Sequence, residues 1–194
     1  MTFIDTGFEG LLLWESSCAY YPDERGSFQE LFNKKDFPVN FKTYQVNHSY
    51  SAPNVARGMH YQLPPHAQAK IVHVLKGGIF AAVVDLRQKS PTFGKYFSVE
   101  ITAESRKHLY IPKGFANGFL SGADGAVVVY QVDAPYNHTA ARIIRYDDKQ
   151  LAINWPLKQK PLLSAADAAG ISWAEYLKNP AFTGKNIWPK NIFW

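Results

Sequence analysis

The chain has 194 residues, a length that suits one domain with a substantial core and is short for two. Hydrophobic residues make up 46% and aromatic residues 15%, which excludes a disordered chain and favours strands. The formal net charge of +5 is modest for a nucleic-acid-binding protein, so it indicates a small anionic ligand or has no specific meaning.

Cys18 is the only cysteine, so the chain can form neither an intrachain disulfide nor a cysteine-based metal cluster. The opening MTFIDTGFEGLLLW lacks the basic segment and cleavage site of a secretion signal. No apolar run approaches the roughly 20 residues needed to span a bilayer. We therefore expect a cytoplasmic protein that binds neither membrane nor nucleic acid.

Alternating apolar residues predict short strands between about Tyr44 and Val132. In KIVHVLKGGIFAAVVDLR, strands over 70–75 and 79–86 flank Lys76-Gly77-Gly78, which predicts a hairpin with a tight turn. Further strands are predicted over 96–102, 108–111 and 127–132, and glycines 114, 118 and 122 are expected to interrupt the chain between the last two. Many short strands with Gly and Pro corners indicate an all-β sandwich or barrel.

Helical signal appears only near the end of the chain. Ser164 followed by Asp167 resembles an N-cap with an acidic third position and predicts one short helix over AAGISWAEYL. The aromatic residues and prolines of 178–194 predict an extended C-terminal arm that packs on the body or on a neighbour. We expect residues 1–194 to form a single domain.

Three predicted strands carry polar residues on one face. Gln45, Asn47 and Ser49 alternate in QVNHS, His60 shares a face with Gln62, and Lys70 shares one with Val72 and Val74. Each face either contacts water or lines a polar cavity. Three such strands together favour a cavity, and a barrel mouth is a common ligand site.

Seven segments, in order along the chain, resemble the dTDP-4-dehydrorhamnose 3,5-epimerases, a family of cupin-type sugar-nucleotide epimerases. They are DERGSFQELF (23–32), QVNHSYS (45–51), RGMHYQLPPHAQAK (57–70), VVDLRQKSPTFGK (83–95), IPKGFANGF (111–119), VYQVDAPY (129–136) and LLSAAD (162–167). The resemblance implies a cupin jelly-roll β-barrel and a homodimer with strands exchanged near the N-terminus. It also implies inversion of C3, C5 or both in a nucleoside-diphosphate 4-keto-6-deoxyhexose, without metal or organic cofactor.

The resemblance assigns four catalytic residues. His60 matches the base, Asp167 the carboxylate that holds this histidine, Tyr130 the acid on the opposite face, and Lys70 the cation that stabilises the enolate oxygen. From composition alone, His60 could be a surface or structural histidine and Asp167 could merely cap the helix. Tyr130 could equally be a core tyrosine and Lys70 a solvated lysine.

The resemblance also assigns residues to the nucleotide and sugar. They are Arg25, Phe28, Glu30, Gln45, Asn47, Arg57, Asn117 and Tyr136. Arg25 could instead pair with Asp23 or Glu30 at a strand end.

The chain departs from the family pattern at three positions near the expected site. Asn117 replaces a histidine, Ala141 a glutamate and Tyr146 a tryptophan. The chemistry is therefore better defined than the substrate, which could carry dTDP or CDP and could be inverted at one carbon or two.

Two other functions stay open at the level of sequence. A metal-dependent cupin oxygenase would use His60, His66, His73 or His108, but Lys70 is a poor neighbour for a metal. A catalytically silent sugar-binding cupin would not need a base and an acid on opposite faces.

Overall fold

A computed structural model describes residues 2–15, 20–35 and 37–184. The strands in these ranges are β1 (Thr2–Ile4), β2 (Leu12–Glu15), β3 (Tyr20–Asp23), β4 (Gly26–Gln29), β5 (Gln45–Ser51), β6 (Ala56–Gln62), β7 (Lys70–Asp85), β8 (Tyr96–Thr102), β9 (Lys107–Ile111), β10 (Phe115–Val132) and β11 (Ala141–Ile143). The helices are α1 (Ala165–Ala168) and α2 (Trp173–Lys178). The predicted all-β class is confirmed.

The strands form one large antiparallel sheet and a separate hairpin. The large sheet runs β1-β2-β9-β7-β10-β6-β11, with β5 paired to β10 and β8 paired to β7. Strands β3 and β4 pair only with each other in the described chain. Within these ranges the large sheet is therefore open, because its first and last strands do not pair. Its shape is determined by its two long strands, β7 and β10, which pair with each other along most of their length.

The predicted hairpin at Lys76-Gly77-Gly78 is wrong, because β7 is continuous from Lys70 to Asp85. Gly77 has φ +67°, and a Cβ there would lie 2.1 Å from the carbonyl oxygen of Gly125 on β10. The two backbones touch at this point, and the register between β7 and β10 shifts beside it. The glycines mark an irregularity where two long strands bend together, not a chain reversal. Gly118 and Gly122 likewise lie inside β10.

The bend gives the sheet two layers that enclose a core. The first layer contains β1, β2, β9, β5, the beginning of β7 and the end of β10; the second contains β8, β6, β11 and the other halves of β7 and β10. Inward-facing apolar residues from both layers pack together, among them Val72, Val128, Ile79 and Phe115. At one end of this interior, polar residues replace apolar ones, and that end forms the candidate site.

The single predicted helix is wrong in extent, since two short helices separate at Gly170. Ser164 caps α1 as predicted, and Ser172 begins α2 with a capping box to Glu175. Between them the chain pairs with the sheet, because Ile171 accepts a hydrogen bond from the Arg145 N–H and donates one to Ile143. A Cβ at Gly170 would meet the Arg145 nitrogen at 2.9 Å, which explains why a glycine interrupts the helical segment.

Some predictions fall partly or wholly outside the described ranges. Cys18 lies outside them, and so do residues 185–194 of the predicted arm. In the part of the arm that is described, Phe182 is buried and its carbonyl accepts a hydrogen bond from Gln88. The single-domain organisation stays a prediction. The described ranges contain no helix of the length and apolar character that a membrane span requires.

Candidate active site

The polar end of the interior opens as an outer chamber of about 480 Å³. Six of the predicted site residues line it: Gln45, Asn47, His60, Lys70, Tyr130 and Tyr136. No acidic side chain is among the described residues that line this chamber, whereas Lys70 and Arg142 are both cationic. The chamber therefore favours an anionic ligand.

A smaller inner chamber of about 130 Å³ continues from the outer one towards the apolar core. His60, Lys70 and Tyr130 line both chambers, so they stand at the boundary. Arg57 and Asn117 line only the inner one. The reactive atoms of a bound molecule would lie at this boundary, with the bulk of the molecule outside.

His60 and Asp167 form a hydrogen-bonded pair across two elements. His60 lies on β6 between Asn117 of β10 and Ile143 of β11, and its Nε2 is 2.6 Å from Asp167 Oδ1. Asp167 is 4% exposed and also accepts hydrogen bonds from the Gly58 N–H at 3.0 Å and the Ser164 hydroxyl at 2.7 Å. Burial would raise the pKa of this carboxyl, but the hydrogen bonds from His60, Ser164 and Gly58 outweigh it and lower the pKa to about 2.

This geometry determines which histidine nitrogen is free. An ionised Asp167 only accepts hydrogen bonds, so the neutral imidazole carries its proton on Nε2 and keeps its lone pair on Nδ1. Asp167 also belongs to the cap of α1, because its N–H donates to Ser164 Oγ at 3.0 Å. Helix capping and histidine orientation, the two sequence alternatives for Asp167, therefore coexist.

Tyr130 lies in the other layer from His60. It sits near the end of β10, opposite Asn47 of β5 and Val72 of β7, whereas His60 belongs to β6. A molecule held between the layers would therefore meet the imidazole on one face and the phenol on the other. Gln45 donates a hydrogen bond to Asn47 at 2.6 Å beside them and fixes that amide.

Lys70 is the first residue of β7, and its half-buried side chain lines both chambers. Burial lowers the pKa of its ammonium group from 10.5 to about 8. Among the described residues, no carboxylate forms an ion pair with it. A cation held without a counter-charge can stabilise negative charge that develops on a ligand.

Comparison with known proteins identifies the family. The sequence model of the dTDP-4-dehydrorhamnose 3,5-epimerases matches residues 5–175. The chain is a member of this family. The Shigella flexneri dTDP-4-dehydrorhamnose 3,5-epimerase is 42% identical over 174 residues, which cover 88% of this chain and 94% of that protein.

Two solved structures show how closely the epimerase fold is kept. A dTDP-6-deoxy-D-glucose-3,5-epimerase from Legionella pneumophila, in complex with dTDP-4-keto-L-rhamnose, has 37% identity, covers 88% of this chain and 92% of its own, and gives a TM-score of 0.83. A 3'-monoepimerase from Streptomyces bikiniensis, in complex with dTDP-quinovose, has 30% identity, 97% and 95% coverage, and a TM-score of 0.86. The fold implied by the family resemblance is confirmed.

Three predicted nucleotide-binding residues of this family member lie away from both chambers of the chain. Arg25 and Phe28 are on the β3–β4 hairpin and Glu30 follows it. Arg25 pairs with Asp23, with 2.5 Å between Nη2 and Oδ2, and its side chain is 83% exposed. Phe28 is 67% exposed. Their role in binding stays a prediction.

The three residues at which the chain departs from the family pattern lie in different surroundings. Asn117 lines the inner chamber and Ala141 the outer one. Tyr146 does not line either chamber; it packs against Trp155, whose indole N–H donates to the Tyr146 carbonyl at 2.8 Å. After β11 the chain thus leads Tyr146 into a hydrophobic cluster with Trp155, and a part for Tyr146 in substrate recognition stays a prediction.

The sequence did not single out Arg142, and it placed Gln62 and Ser49 only on polar faces that could line a cavity, without a specific role. Arg142 lies at the outer chamber, where its guanidinium donates to the carbonyls of Thr139 and Ala141 at 2.8 Å. Gln62 accepts a hydrogen bond from the Asn137 N–H at 2.7 Å and so holds the segment that carries Tyr136. The polar face shared by Gln45, Asn47 and Ser49 was a usable signal for Ser49, whereas Arg142 has no such pattern.

The histidines of the metal-dependent alternative do not converge. His73 and His108 form a buried pair, with 2.9 Å between their Nδ1 atoms, on the opposite side of the first layer from the chambers. His66 is exposed in the loop after β6. Among the described residues, no group of three or more His, Cys, Asp or Glu side chains is placed to hold a metal ion.

Proposed function

We propose that this isomerase inverts C3 and C5 of a dTDP-linked 4-keto-6-deoxyhexose. The observation that carries the proposal is the oriented pair His60–Asp167 in one layer, facing Tyr130 and Lys70 in the other. The names of the curated relatives and the dTDP-4-keto-L-rhamnose bound in the Legionella pneumophila enzyme support both the reaction and the nucleoside.

The reaction follows from the acidity of a C–H group next to a ketone. His60 Nδ1 accepts the proton from C3 or C5, and the C–H electrons form a C=C bond while the C4=O electrons move to O4. The Lys70 ammonium stabilises the resulting enolate oxygen. Tyr130 then donates its phenolic proton to the opposite face of the carbon, and C4=O reforms. The imidazolium and the tyrosinate return to their starting states by proton exchange with solvent.

The outer chamber is the place for the nucleoside diphosphate. Tyr136 is 62% exposed there and offers a ring to a base or sugar, while Gln45 and Arg142 offer hydrogen-bond donors. Arg57 lines only the inner chamber, where its guanidinium donates to Ser51 Oγ at 2.9 Å and to the Tyr50 carbonyl at 3.2 Å, so it would face the sugar end of the substrate although the resemblance assigned it to the nucleotide. The resemblance assigns the remaining nucleotide contacts to Arg25, Phe28 and Glu30.

We also propose a homodimer in which the β3–β4 hairpin of one protomer reaches the outer chamber of its partner. Two exposed surfaces support it: the hairpin, with Tyr21 and Phe28 60% and 67% exposed, and the outer face of β5, where Val46 and Tyr50 are 60% and 62% exposed. Large apolar residues grouped on an edge strand favour an interface.

A cytoplasmic location also stays part of the proposal, supported by the single cysteine.

Subunit complementation tests the dimer. Arg25→Ala and His60→Ala, each strongly impaired alone, are mixed after dissociation and reassociation. Random reassociation makes about half of the molecules heterodimers. If the hairpin of one protomer reaches the partner's chamber, one of the two sites in each heterodimer is intact, and activity returns to about a quarter of wild type. A monomer by sedimentation, or no recovery in a mixture shown to contain heterodimers, contradicts the exchange.

The substrate is tested by incubating the protein in D₂O with the dTDP- and CDP-linked 4-keto-6-deoxyglucose side by side. Proton NMR should show deuterium entering C3 and C5 of the dTDP sugar, with much slower exchange of the CDP sugar. Exchange at C3 alone would indicate a monoepimerase. No exchange with either sugar would contradict the epimerase and would favour a sugar-binding protein.

A further inference from the structure

Ser49 supplies an unused polar atom in the inner chamber. It lies on β5 opposite Val128 of β10, and its Oγ is buried without a hydrogen-bond partner among the described residues. Its companions in the wall include Val72, Val128 and Phe119, which offer no polar side-chain group. Buried hydroxyl groups in proteins are normally hydrogen-bonded, so the Ser49 hydroxyl lacks a partner, and a ligand in the chamber could supply one if the hydroxyl turns about the Cα–Cβ bond.

The two chambers determine which end of the sugar reaches Ser49. A nucleoside diphosphate cannot fit in about 130 Å³, so it occupies the outer chamber and the anomeric carbon C1 points outward. In a pyranose ring the atom opposite C1 is C4. The C4 oxygen is therefore directed into the inner chamber, where Ser49 lies one inward-facing position deeper than Asn47 and Tyr130.

We propose that Ser49 is a further catalytic residue, whose hydroxyl donates a hydrogen bond to O4 as the enolate forms. This inference rests on the proposed epimerase function. Ser49 would act from β5 and Lys70 from β7, so two donors on different strands would surround one oxygen. Ser49 keeps its proton throughout, so the proton balance between His60 and Tyr130 is unchanged.

The surroundings of Ser49 make such a hydrogen bond stronger in the transition state than in the ground state. A ketone oxygen carries little charge, whereas an enolate oxygen carries nearly a full one. Because Ser49 Oγ is buried and shares its wall with Val72, Val128 and Phe119, a fixed donor there gains most from the charged form. Removal of the hydroxyl should therefore reduce turnover more than it reduces binding.

The test compares Ser49→Ala with Ser49→Thr, which retains the hydroxyl, and with Ser98→Ala, a serine on β8 outside both chambers. We expect Ser49→Ala to lower kcat for deuterium exchange by about 100-fold at C3 and C5 alike, as for removal of one oxyanion donor, with little change in KM. Exchange at both carbons falls together because both enolates place charge on O4. Ser49→Thr should recover most of the loss, and Ser98→Ala should match wild type.

For Ser49→Ala, three results would overturn the role of Ser49: a kcat within about threefold of wild type, a loss confined to KM, or a loss at only one carbon. Thermal unfolding of each variant checks folding, and a Ser49→Thr variant that is folded but no more active than Ser49→Ala also contradicts the proposal. Absence of exchange in the wild-type protein would instead refute the epimerase function itself.

Discussion

Replacement of Asp167 by asparagine tests the orientation of His60. The carboxylate accepts three hydrogen bonds at 2.6 to 3.0 Å, and its pKa of about 2 against an ordinary 3.8 corresponds to about 2 kcal/mol in favour of the charged form. Asparagine has a similar shape but one acceptor oxygen and an NH₂ group. Where that NH₂ faces His60, it donates to Nε2 and moves the imidazole proton to Nδ1, the atom that must be unprotonated.

We therefore expect Asp167→Asn to lower kcat for epimerisation by 10²- to 10⁴-fold, measured by NMR on the dTDP sugar. Stability at neutral pH should fall by about 2 kcal/mol, or about 4–8 °C in Tm for a chain of this size. A depressed carboxyl pKa stabilises the fold above pH 3.8, so the difference in Tm should shrink as the pH falls towards 2.

Asp147 provides the matched control, because it pairs with Arg145 at the surface and its side chain is 44% exposed. Asp147→Asn should leave both kcat and Tm close to wild type. An Asp167→Asn variant with kcat within fivefold of wild type would refute the orientation argument. A Tm difference that does not change between pH 7 and pH 2 would refute the stability argument.

Three further predictions concern charge and backbone contacts. The kcat/KM should fall as pH rises through about 8, because Lys70 loses its proton there. Lys70→Arg should move this fall to higher pH, and a pH profile of the variant that matches wild type would refute the role of the Lys70 charge. Gly77→Ala should lower Tm by several degrees, because its Cβ would meet Gly125 at 2.1 Å, and equal Tm values contradict the close contact. Asp85→Asn should lower the free energy of unfolding, measured in urea, by about 3–5 kcal/mol, because Asp85 accepts two hydrogen bonds from the buried Arg87 guanidinium at 2.7 and 2.8 Å. A decrease below about 1 kcal/mol would refute this stabilising role.

The positions of the strands could be predicted because alternation is a local property of the chain. The strand predicted over 96–102 matches β8 in both ends. The connection between strands could not be predicted in the same way. The glycines at 77 and 78 are compatible with a hairpin or a bulge, and the choice depends on Gly125, which is distant in sequence and adjacent in space.

The candidate site, too, could be predicted only in part from the sequence. The order of motifs identified His60 and Asp167, and the structure brings them within 2.6 Å although 107 positions separate them. The inner chamber could not be foreseen, because it arises where the bend of β7 and β10 closes two layers around Ser49. The hairpin with Arg25 lies away from the chambers of its own chain, and no local pattern indicates which chamber a hairpin serves.

Deuterium exchange by His60→Ala and Tyr130→Phe tests the central claim, that a base and an acid act from opposite layers. In D₂O with dTDP-4-keto-6-deoxyglucose, His60→Ala should incorporate no deuterium at C3 or C5. Tyr130→Phe should still exchange protons through His60 but should form little inverted product. Wild-type rates in either variant, or inversion that persists in Tyr130→Phe while His60→Ala exchanges freely, would contradict the assignment.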